Sequence, residues 1–219
     1  MTNSSSTQDA LRSINDRISS ACELSNRNPN DVHLIAVSKN FSADHIKSAY
    51  DLGIRDFGES KFQELETKVH QLPSDIKWHF IGKLQSNKAK NVASIVDTIQ
   101  TLENERQLQE IAKQDRTIDG FIQVNIASEQ QKSGIFTKDL DRVLSHVLKC
   151  KQVRFRGLMT IGPVVSDPEE SRIFFRELAI LNRKFGGTQL SMGMSGDFEV
   201  AIQEGATHIR VGSALFGNR

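Results

Sequence analysis

The chain has 219 residues, which is enough for one domain with a sizeable core. Its 28 Lys and Arg residues nearly balance its 27 Asp and Glu residues, so the formal net charge at pH 7 is +1. A charge this even, scattered along the chain, gives no sign of a nucleic-acid partner. No apolar run approaches the length of a membrane span, and the polar start MTNSSSTQDA does not resemble a secretion signal.

Cysteine usage indicates the compartment. Cys22 and Cys150 are far apart in the sequence and have no metal-binding spacing. Buried thiols in a reducing environment fit this pattern better than a disulfide framework does. The sequence therefore predicts a cytoplasmic protein.

The elements predicted along the chain alternate between helix and strand. Residues 1–8 are polar and Ser-rich, and we expect a flexible N-terminus there. From about Asp9, apolar residues recur at helical spacing, and HLIAVS at 33–38 then predicts the first strand. Seven further short apolar runs predict strands at 54–59, 77–82, 94–99, 120–126, 153–159, 188–193 and 207–212. Helical patterns lie between most of them, at 60–71, 86–93, 103–115, 137–149, 168–185 and 197–204.

Eight strands separated by helices predict a parallel sheet, and this number favours a (β/α)8 barrel. We expect one α/β domain of this kind over residues 9–219, with an extra N-terminal helix. A doubly wound open sheet is the alternative. The barrel is favoured because the first βα turn lacks the glycine-rich fingerprint of a dinucleotide-binding sheet.

In a parallel barrel the functional face lies at the carboxyl ends of the strands. The residues that the sequence places there are Lys39, Glu59 with Ser60, His79 with Lys83, Gln123 and Asn125, Met159, the segment SMGMSGD at 191–197, and Arg210 with Gly212 and Ser213. The set contains few carboxylates and no His/Cys cluster, so a metal site is not expected. Amide, hydroxyl, glycine and cationic groups dominate, which favours an anionic ligand.

Two glycine-containing segments indicate where an anion would bind. In SMGMSGD, small residues precede a helix that Asp197 could start, and the free N–H groups there, with the Ser195 hydroxyl, suit a phosphate. Gly212 and Ser213 follow the last strand in the same way. Barrels often bind phosphate in the loops after strands seven and eight.

Lys39 follows the first strand directly, where a partly desolvated amine becomes a nucleophile towards carbonyls. Pyridoxal phosphate has both an aldehyde and a phosphate. An internal aldimine to Lys39, with the phosphate at 194–196 and 212–213, would use both features of this face.

Several motifs together resemble one known family. VSKN, FGESKFQE, WHFIGKLQSNKAK, QVNIASEQQKSG, RGLM and LSMGMSGDFEVAIQEGATHIRVGSALFG are similar, in the same order, to the pyridoxal phosphate homeostasis proteins. The resemblance covers nearly the whole chain after the N-terminal helix. It implies a single-domain barrel like the N-terminal domain of alanine racemase, which binds pyridoxal 5′-phosphate (PLP) without a well-established turnover.

The resemblance also implies roles for individual residues. Lys39 would be the aldimine lysine, and Arg210 would lie near the pyridine ring nitrogen, where a cation disfavours ring protonation and weakens the electron sink. The phosphate would be held by residues 194–196, which are Met194, Ser195 and Gly196, together with Gly212 and Ser213. Lys132, in QQKSG, matches a lysine associated with secondary vitamer binding or cofactor exchange.

The sequence departs from the family pattern at three positions. Ser60 stands where an asparagine often approaches the ring, and Lys61 stands where an aromatic residue is usual. Phe41 occupies a place where the family often has a second lysine. These departures concern ring contacts and any relay of the aldehyde between lysines, whereas Lys39 and the phosphate loops match.

The predicted function is a carrier or buffer of PLP, with indirect effects on amino-acid and keto-acid metabolism and with possible apo-enzyme acceptors. Racemization needs acid/base groups on both faces of the α-carbon. Lys39 could serve one face, but the chain ends at Arg219 without a second domain, and Tyr50 lies on the apolar stripe of a helix. A weak PLP-dependent racemase or lyase is the alternative, and a cofactor-free Schiff-base aldolase is a third possibility. We expect a monomer.

Overall fold

The computed structural model describes residues 3–217. Within that stretch eight strands form a closed barrel in the order β1 to β8. The strands are β1 His33–Val37, β2 Asp56–Glu59, β3 Lys77–Phe80, β4 Thr98–Leu102, β5 Ile118–Gln123, β6 Val153–Met159, β7 Gln189–Met194 and β8 His208–Val211.

The α-helices of the same stretch surround the barrel. They are α1 Asn3–Leu24, α2 Ala43–Asp51, α3 Phe62–Val69, α4 Ala89–Ile95, α5 Glu105–Ile111, α6 Leu140–Lys149, α7 Arg172–Lys184, α8 Phe198–Gln203 and α9 Ser213–Phe216. None of the helices between residues 3 and 217 has the length and apolar character needed to span a bilayer.

Every neighbouring pair of strands is parallel, and β1 pairs with β8 from His33 opposite His208 to Ala36 opposite Val211. The first and last strands therefore close the sheet, which confirms the predicted (β/α)8 barrel and its extra N-terminal helix. An open doubly wound sheet would leave these two strands unpaired with each other.

Several predicted boundaries are wrong by a few residues, and two of these differences bear on the fold. The fourth strand runs over Thr98–Leu102 instead of 94–99, because Ala89–Ile95 continues the preceding helix. The first helix begins at Asn3 instead of near Asp9, so residues 3–8 are helical. Met1 and Thr2, which belong to the N-terminus expected to be flexible, lie outside the described residues, and the flexibility of 1–8 stays a prediction.

The apolar core lies between the barrel and its helices. Alternate strand residues such as Ala36, Phe57 and Ile209 are fully buried there and pack against helix residues such as Ile46 and Leu65. The barrel interior is more polar, since Gln100, Ser191 and Arg210 are all buried within it. Cys22 and Cys150 are buried free thiols, as predicted.

Candidate functional site

A cavity of about 390 Å³ opens at the carboxyl ends of the strands. This volume lies within the usual range for a small-molecule site. All eight residues proposed from the sequence line it, and Val37, Ile81 and Ile161 supply its apolar wall. The eight are Lys39, Ser60, Met194, Ser195, Gly196, Arg210, Gly212 and Ser213. The structure thus brings the predicted set together, while the binding role of each member stays a prediction.

One wall of the cavity has the character of an anion cradle. The backbone N–H groups of Gly212 and Ala214 both point at the Ser195 hydroxyl oxygen, each at 3.4 Å. These amides belong to the turn that begins the short helix α9, in the place where barrels commonly bind phosphate. Gly196 borders open space, because a Cβ built there would meet no heavy atom within 4 Å. Two converging donors, a hydroxyl and open space fit a phosphate group.

The turn that holds Ser195 is fixed by Asp197. The Met194 N–H donates to Asp197 Oδ1 at 2.7 Å, and the Ser171 hydroxyl donates to Oδ2 at 3.3 Å. Asp197 precedes α8, as predicted, but its side chain makes no capping bond to that helix. Its carboxylate instead closes the turn, and this positions the Ser195 hydroxyl at the cavity.

Arg210 lies at the floor of the cavity and is 4% exposed. Its Nη1 donates to Ser191 Oγ at 2.7 Å and its Nη2 donates to the Thr160 carbonyl at 2.7 Å. Burial lowers the pKa of Arg210 to about 10, while Asp197 acts in the opposite direction. The guanidinium remains a cation at neutral pH, so it presents a buried positive charge to a ligand.

Lys39 is half-buried at the start of the loop between β1 and α2. The next residue, Asn40, has a positive φ of 66°, and its N–H donates to Glu64 Oε2 at 2.8 Å. Asparagine tolerates this left-handed conformation better than most residues do. The reversal after Lys39 turns the chain back towards α2 and leaves the amine at the cavity.

Beneath this loop lies a buried cation that the sequence analysis missed. Lys68 Nζ donates to Glu59 Oε1 at 2.6 Å and to the Ser38 carbonyl at 3.0 Å. The side chain is 9% exposed, and that of Glu59 is fully buried. One signal was available, since Lys68 continues the apolar face of α3 formed by Phe62 and Leu65.

Three residues assigned to the functional face belong elsewhere. His79 points into the barrel and lines a second cavity, of about 350 Å³, at the opposite end, where its Nε2 lies 2.9 Å from Asp56 Oδ1. Glu59 faces α3 on the outer side of the barrel, where it contacts Lys68. Lys83 lines a separate cavity beside Phe62 and Phe80. The position of a residue along a strand determines its height in the barrel. Successive side chains of a strand, however, point alternately into the barrel and out of it.

The remaining polar strand ends shape loops. Asn125 Nδ2 donates to the Glu129 carbonyl at 2.7 Å, which closes the turn after β5. Gln123 and Met159 are buried and are not among the residues lining the cavity. Lys132 Nζ donates to the Gly162 carbonyl at 3.0 Å and pairs with Glu129 at 2.6 Å, so it lies close to the cavity rim.

Of the three departures from the family pattern, only Ser60 lines the cavity. Lys61 points away, pairing with Glu64 at 3.1 Å. The Phe41 ring packs on Phe216 with a centroid distance of 4.8 Å. Within residues 3–217 no group of His, Cys, Asp and Glu side chains is arranged to hold a metal ion.

Comparisons with known proteins agree with this geometry. The family model described as alanine racemase, N-terminal domain, matches residues 11–219. The alanine racemase of Corynebacterium glutamicum has the same fold, with a TM-score of 0.71 over 97% of this chain and 62% of that chain, although only 16% of residues are identical. The chain belongs to the alanine racemase N-terminal domain family.

Closer relatives are similar over the whole length. The pyridoxal phosphate homeostasis protein of Aquifex aeolicus is 38% identical over 220 residues, covering 95% of this chain and 96% of that protein. PipY from Synechococcus elongatus, in its structure with PLP bound, has 36% sequence identity to this chain. The TM-score is 0.79 over 93% of this chain and all of PipY. Within the family, the sequence thus groups with the pyridoxal phosphate homeostasis proteins.

Proposed function

We propose that the protein binds PLP in the cavity at the carboxyl ends of the strands and carries or buffers it. The observation that supports this most strongly is the convergence of Lys39, Arg210 and the Ser195–Gly212 cradle on one cavity of about 390 Å³. The relative PipY has been seen with PLP bound, and its chain is similar over its full length.

The residues present fit the parts of this cofactor. The cradle formed by the Ser195 hydroxyl and the amides of Gly212 and Ala214 would hold the phosphate. Arg210 would face the pyridine nitrogen and, as a hydrogen-bond donor and cation, keep it unprotonated. The Lys39 amine would hold the aldehyde carbon as a Schiff base, with loss of one water.

A carrier fits the cavity better than a racemase does. When bound, PLP supplies an electron sink, and a racemase must add an acid or base on each side of the substrate carbon. Among the described residues that line the cavity, the titratable ones are Lys39 and Arg210. Arginine does not exchange its proton near neutral pH. Tyr50 points elsewhere, since its hydroxyl donates to Asp75 Oδ1 at 2.7 Å on the outer surface.

The proposal extends to the setting in which the protein works. We infer a cytoplasmic protein, which the two buried, unpaired cysteines support. We also infer a monomer that releases PLP to apo-enzyme acceptors. Sedimentation at several concentrations tests the monomer, and a mass that rises with concentration would contradict it.

Absorbance and reductive trapping test the proposed cofactor. Purified protein mixed with PLP should turn yellow, and borohydride should bleach it and leave one covalent adduct on Lys39 in the intact mass. Lys39→Ala should show no adduct, whereas Lys61→Ala, at a lysine nearby that faces away from the cavity, should label like the wild type. A colourless wild type without an adduct contradicts PLP binding and would favour a cofactor-free aldolase.

An amino-acid panel separates the carrier from the enzyme. The PLP-loaded protein, incubated with D- and L-amino acids, should show no sustained racemization or cleavage. Turnover that is lost in Lys39→Ala would contradict the carrier and favour the racemase or lyase.

A further inference from the structure

A line of buried polar side chains runs through the barrel from the cavity to its opposite end. Arg210 Nη1 donates to Ser191 Oγ at 2.7 Å, and Ser191 Oγ donates to Gln100 Oε1 at 2.6 Å. Gln100 Nε2 lies 3.2 Å from His79 Nδ1, and His79 Nε2 lies 2.9 Å from Asp56 Oδ1. Ser191 and Gln100 are both fully buried. We call these five residues the interior chain.

Arg210 fixes the direction of every hydrogen bond in the interior chain. A guanidinium can only donate, so Ser191 must accept from it and has one proton left to give to Gln100 Oε1. The Gln100 amide nitrogen then donates to His79 Nδ1, which places the imidazole proton on Nε2, facing the Asp56 carboxylate. Each residue therefore has one role, and none can reorient without breaking a buried hydrogen bond.

The interior chain holds Arg210 without neutralising it. The acceptors of its two terminal nitrogens are the Ser191 hydroxyl and the Thr160 carbonyl, both uncharged. Among residues 3–217 no carboxylate lies within ion-pair distance of the guanidinium. Because neutral acceptors do not cancel the charge of Arg210, that charge can act on a ligand. The orientation of the guanidinium depends on those acceptors.

We propose that Ser191 and Gln100 are positioning residues that aim the Arg210 guanidinium at the ring nitrogen of the bound cofactor and so keep that nitrogen unprotonated. This inference rests on the proposed function. It assigns a role to two residues that touch neither the cavity nor the ligand, and it extends the functional unit through the centre of the barrel.

The protonation of the ring nitrogen can be measured directly. PLP labelled with ¹⁵N in the ring is bound to the wild type, Gln100→Leu, Ser191→Ala and Arg210→Gln, and the ¹⁵N shift is followed as a function of pH. The wild-type nitrogen should stay unprotonated around neutral pH. In Gln100→Leu and Ser191→Ala it should take up a proton at higher pH than in the wild type, part of the way towards Arg210→Gln.

Gln100→Leu and Ser191→Ala should also bind PLP about fivefold more weakly than the wild type does. This is the change in an equilibrium constant expected for the loss of one hydrogen bond. The matched control is Gln107→Leu. Gln107 is as buried as Gln100, but its side-chain amide donates to the Leu84 carbonyl outside the barrel interior. Gln107→Leu loses comparable hydrogen bonds and should leave the ¹⁵N titration unchanged. The comparison thus distinguishes an effect on the orientation of Arg210 from an effect of lower stability in general.

Ser191→Ala removes a single oxygen and keeps the test decisive if Gln100→Leu fails to fold. A ring nitrogen that shifts in Arg210→Gln but not in Ser191→Ala or Gln100→Leu overturns the role of the interior chain and leaves PLP binding intact. A wild type that forms no adduct with PLP overturns the proposed function and this inference together.

Discussion

At the scale of single residues, Lys68 shows how the loop that carries Lys39 is held. Its ammonium bridges the Glu59 carboxylate and the Ser38 carbonyl, and the Ser38 hydroxyl donates to the same carboxylate oxygen at 2.8 Å. Burial raises the pKa of Glu59, while Lys68 acts to lower it. Ser38 immediately precedes Lys39, so this buried ion pair anchors the backbone from which the reactive amine projects.

Lys68→Met should destabilise the protein by about 3–5 kcal/mol, because it leaves the Glu59 carboxylate buried without a counter-ion, with only the Ser38 hydroxyl bound to it. Urea unfolding monitored by circular dichroism measures the loss. The double variant Lys68→Met/Glu59→Gln should recover part of it, since no unpaired charge remains. Lys47→Met, which breaks the exposed pair with Asp51, should change the free energy of unfolding by less than about 1 kcal/mol. Equal losses in the two single variants would contradict a structural role for the buried pair.

His208 makes stability sensitive to acid. Burial lowers the pKa of His208 to about 3. His79 and His33, when protonated, and Arg210 act in the same direction, and Asp56 opposes this only in part. In the unfolded chain the imidazole takes up its proton near its ordinary pKa of 6.5. Between these two values the unfolded state binds more protons, so the free energy of unfolding falls as the pH falls.

His208→Gln should therefore flatten the loss of stability between pH 6.5 and pH 3. The difference should reach a few kcal/mol at the acid end, since each unit of pKa displacement corresponds to about 1.4 kcal/mol. Unfolding free energies across this range measure the slope. His70→Gln, at an exposed histidine, should keep the wild-type slope. A slope in His208→Gln as steep as that of the wild type would contradict this assignment.

At the scale of elements, the joint between β7 and α8 places the anion cradle. Gly193 has a φ of 89°, and a Cβ there would lie 2.6 Å from Ala201 Cβ and 2.9 Å from Phe198 Cα. The helix therefore packs directly on the end of the strand. Because Ser195 follows two residues later, this close approach fixes where its hydroxyl lies.

Placing a non-glycine residue in the left-handed conformation costs about 1–2 kcal/mol. Gly193→Ala should destabilise the protein by more than this, because α8 must also move away. The matched control is Gly205→Ala, where φ is 102° but the nearest atom to a new Cβ is 3.9 Å away. The two variants share the backbone strain and differ in the clash. Gly193→Ala should also bind PLP more weakly in an absorbance titration, whereas Gly205→Ala should bind like the wild type. Indistinguishable affinities would show that the joint does not place the cradle.

The elements also show what the sequence could predict. The run in β1 is apolar, and β2 and β8 each follow a glycine of positive φ after a helix, at Gly53 and Gly205, so these strands and the Lys39 and Gly212 ends were predictable. The fourth strand was misplaced because Thr98, Gln100 and Thr101 are polar yet buried, which removes the apolar run that marks a strand. Gln100 and Lys68 were missed as well, because they too are polar yet buried. Their hydrogen-bond partners lie 91 and 9 residues away in the chain.

At the scale of the whole molecule, the site lies across the seam of the barrel. Lys39 follows β1 and Gly212 follows β8, and these two strands close the sheet by pairing with each other. The segment after α1 supports the seam at its other end, as Arg27 Nη1 donates to the carbonyls of Ile202 and Ala206, just before β8, at 2.6 and 2.8 Å. A ligand held by Lys39 and the cradle would thus connect the first and last strands.

PLP should therefore stabilise the entire barrel. At a free concentration one hundred times its dissociation constant, a ligand adds about 2.7 kcal/mol to the free energy of unfolding. For a chain of this size, each kcal/mol raises the melting temperature by about 2–4 °C, so differential scanning calorimetry should show one transition shifted by about 5–11 °C.

Pyridoxal, which has the aldehyde without the phosphate, should give a smaller shift at the same concentration, because it cannot use the cradle. Lys39→Ala should retain only the part contributed by phosphate and ring contacts. Equal shifts with PLP and pyridoxal would mean that the cradle does not bind phosphate, and two separate transitions would mean that the seam does not unfold with the rest of the barrel.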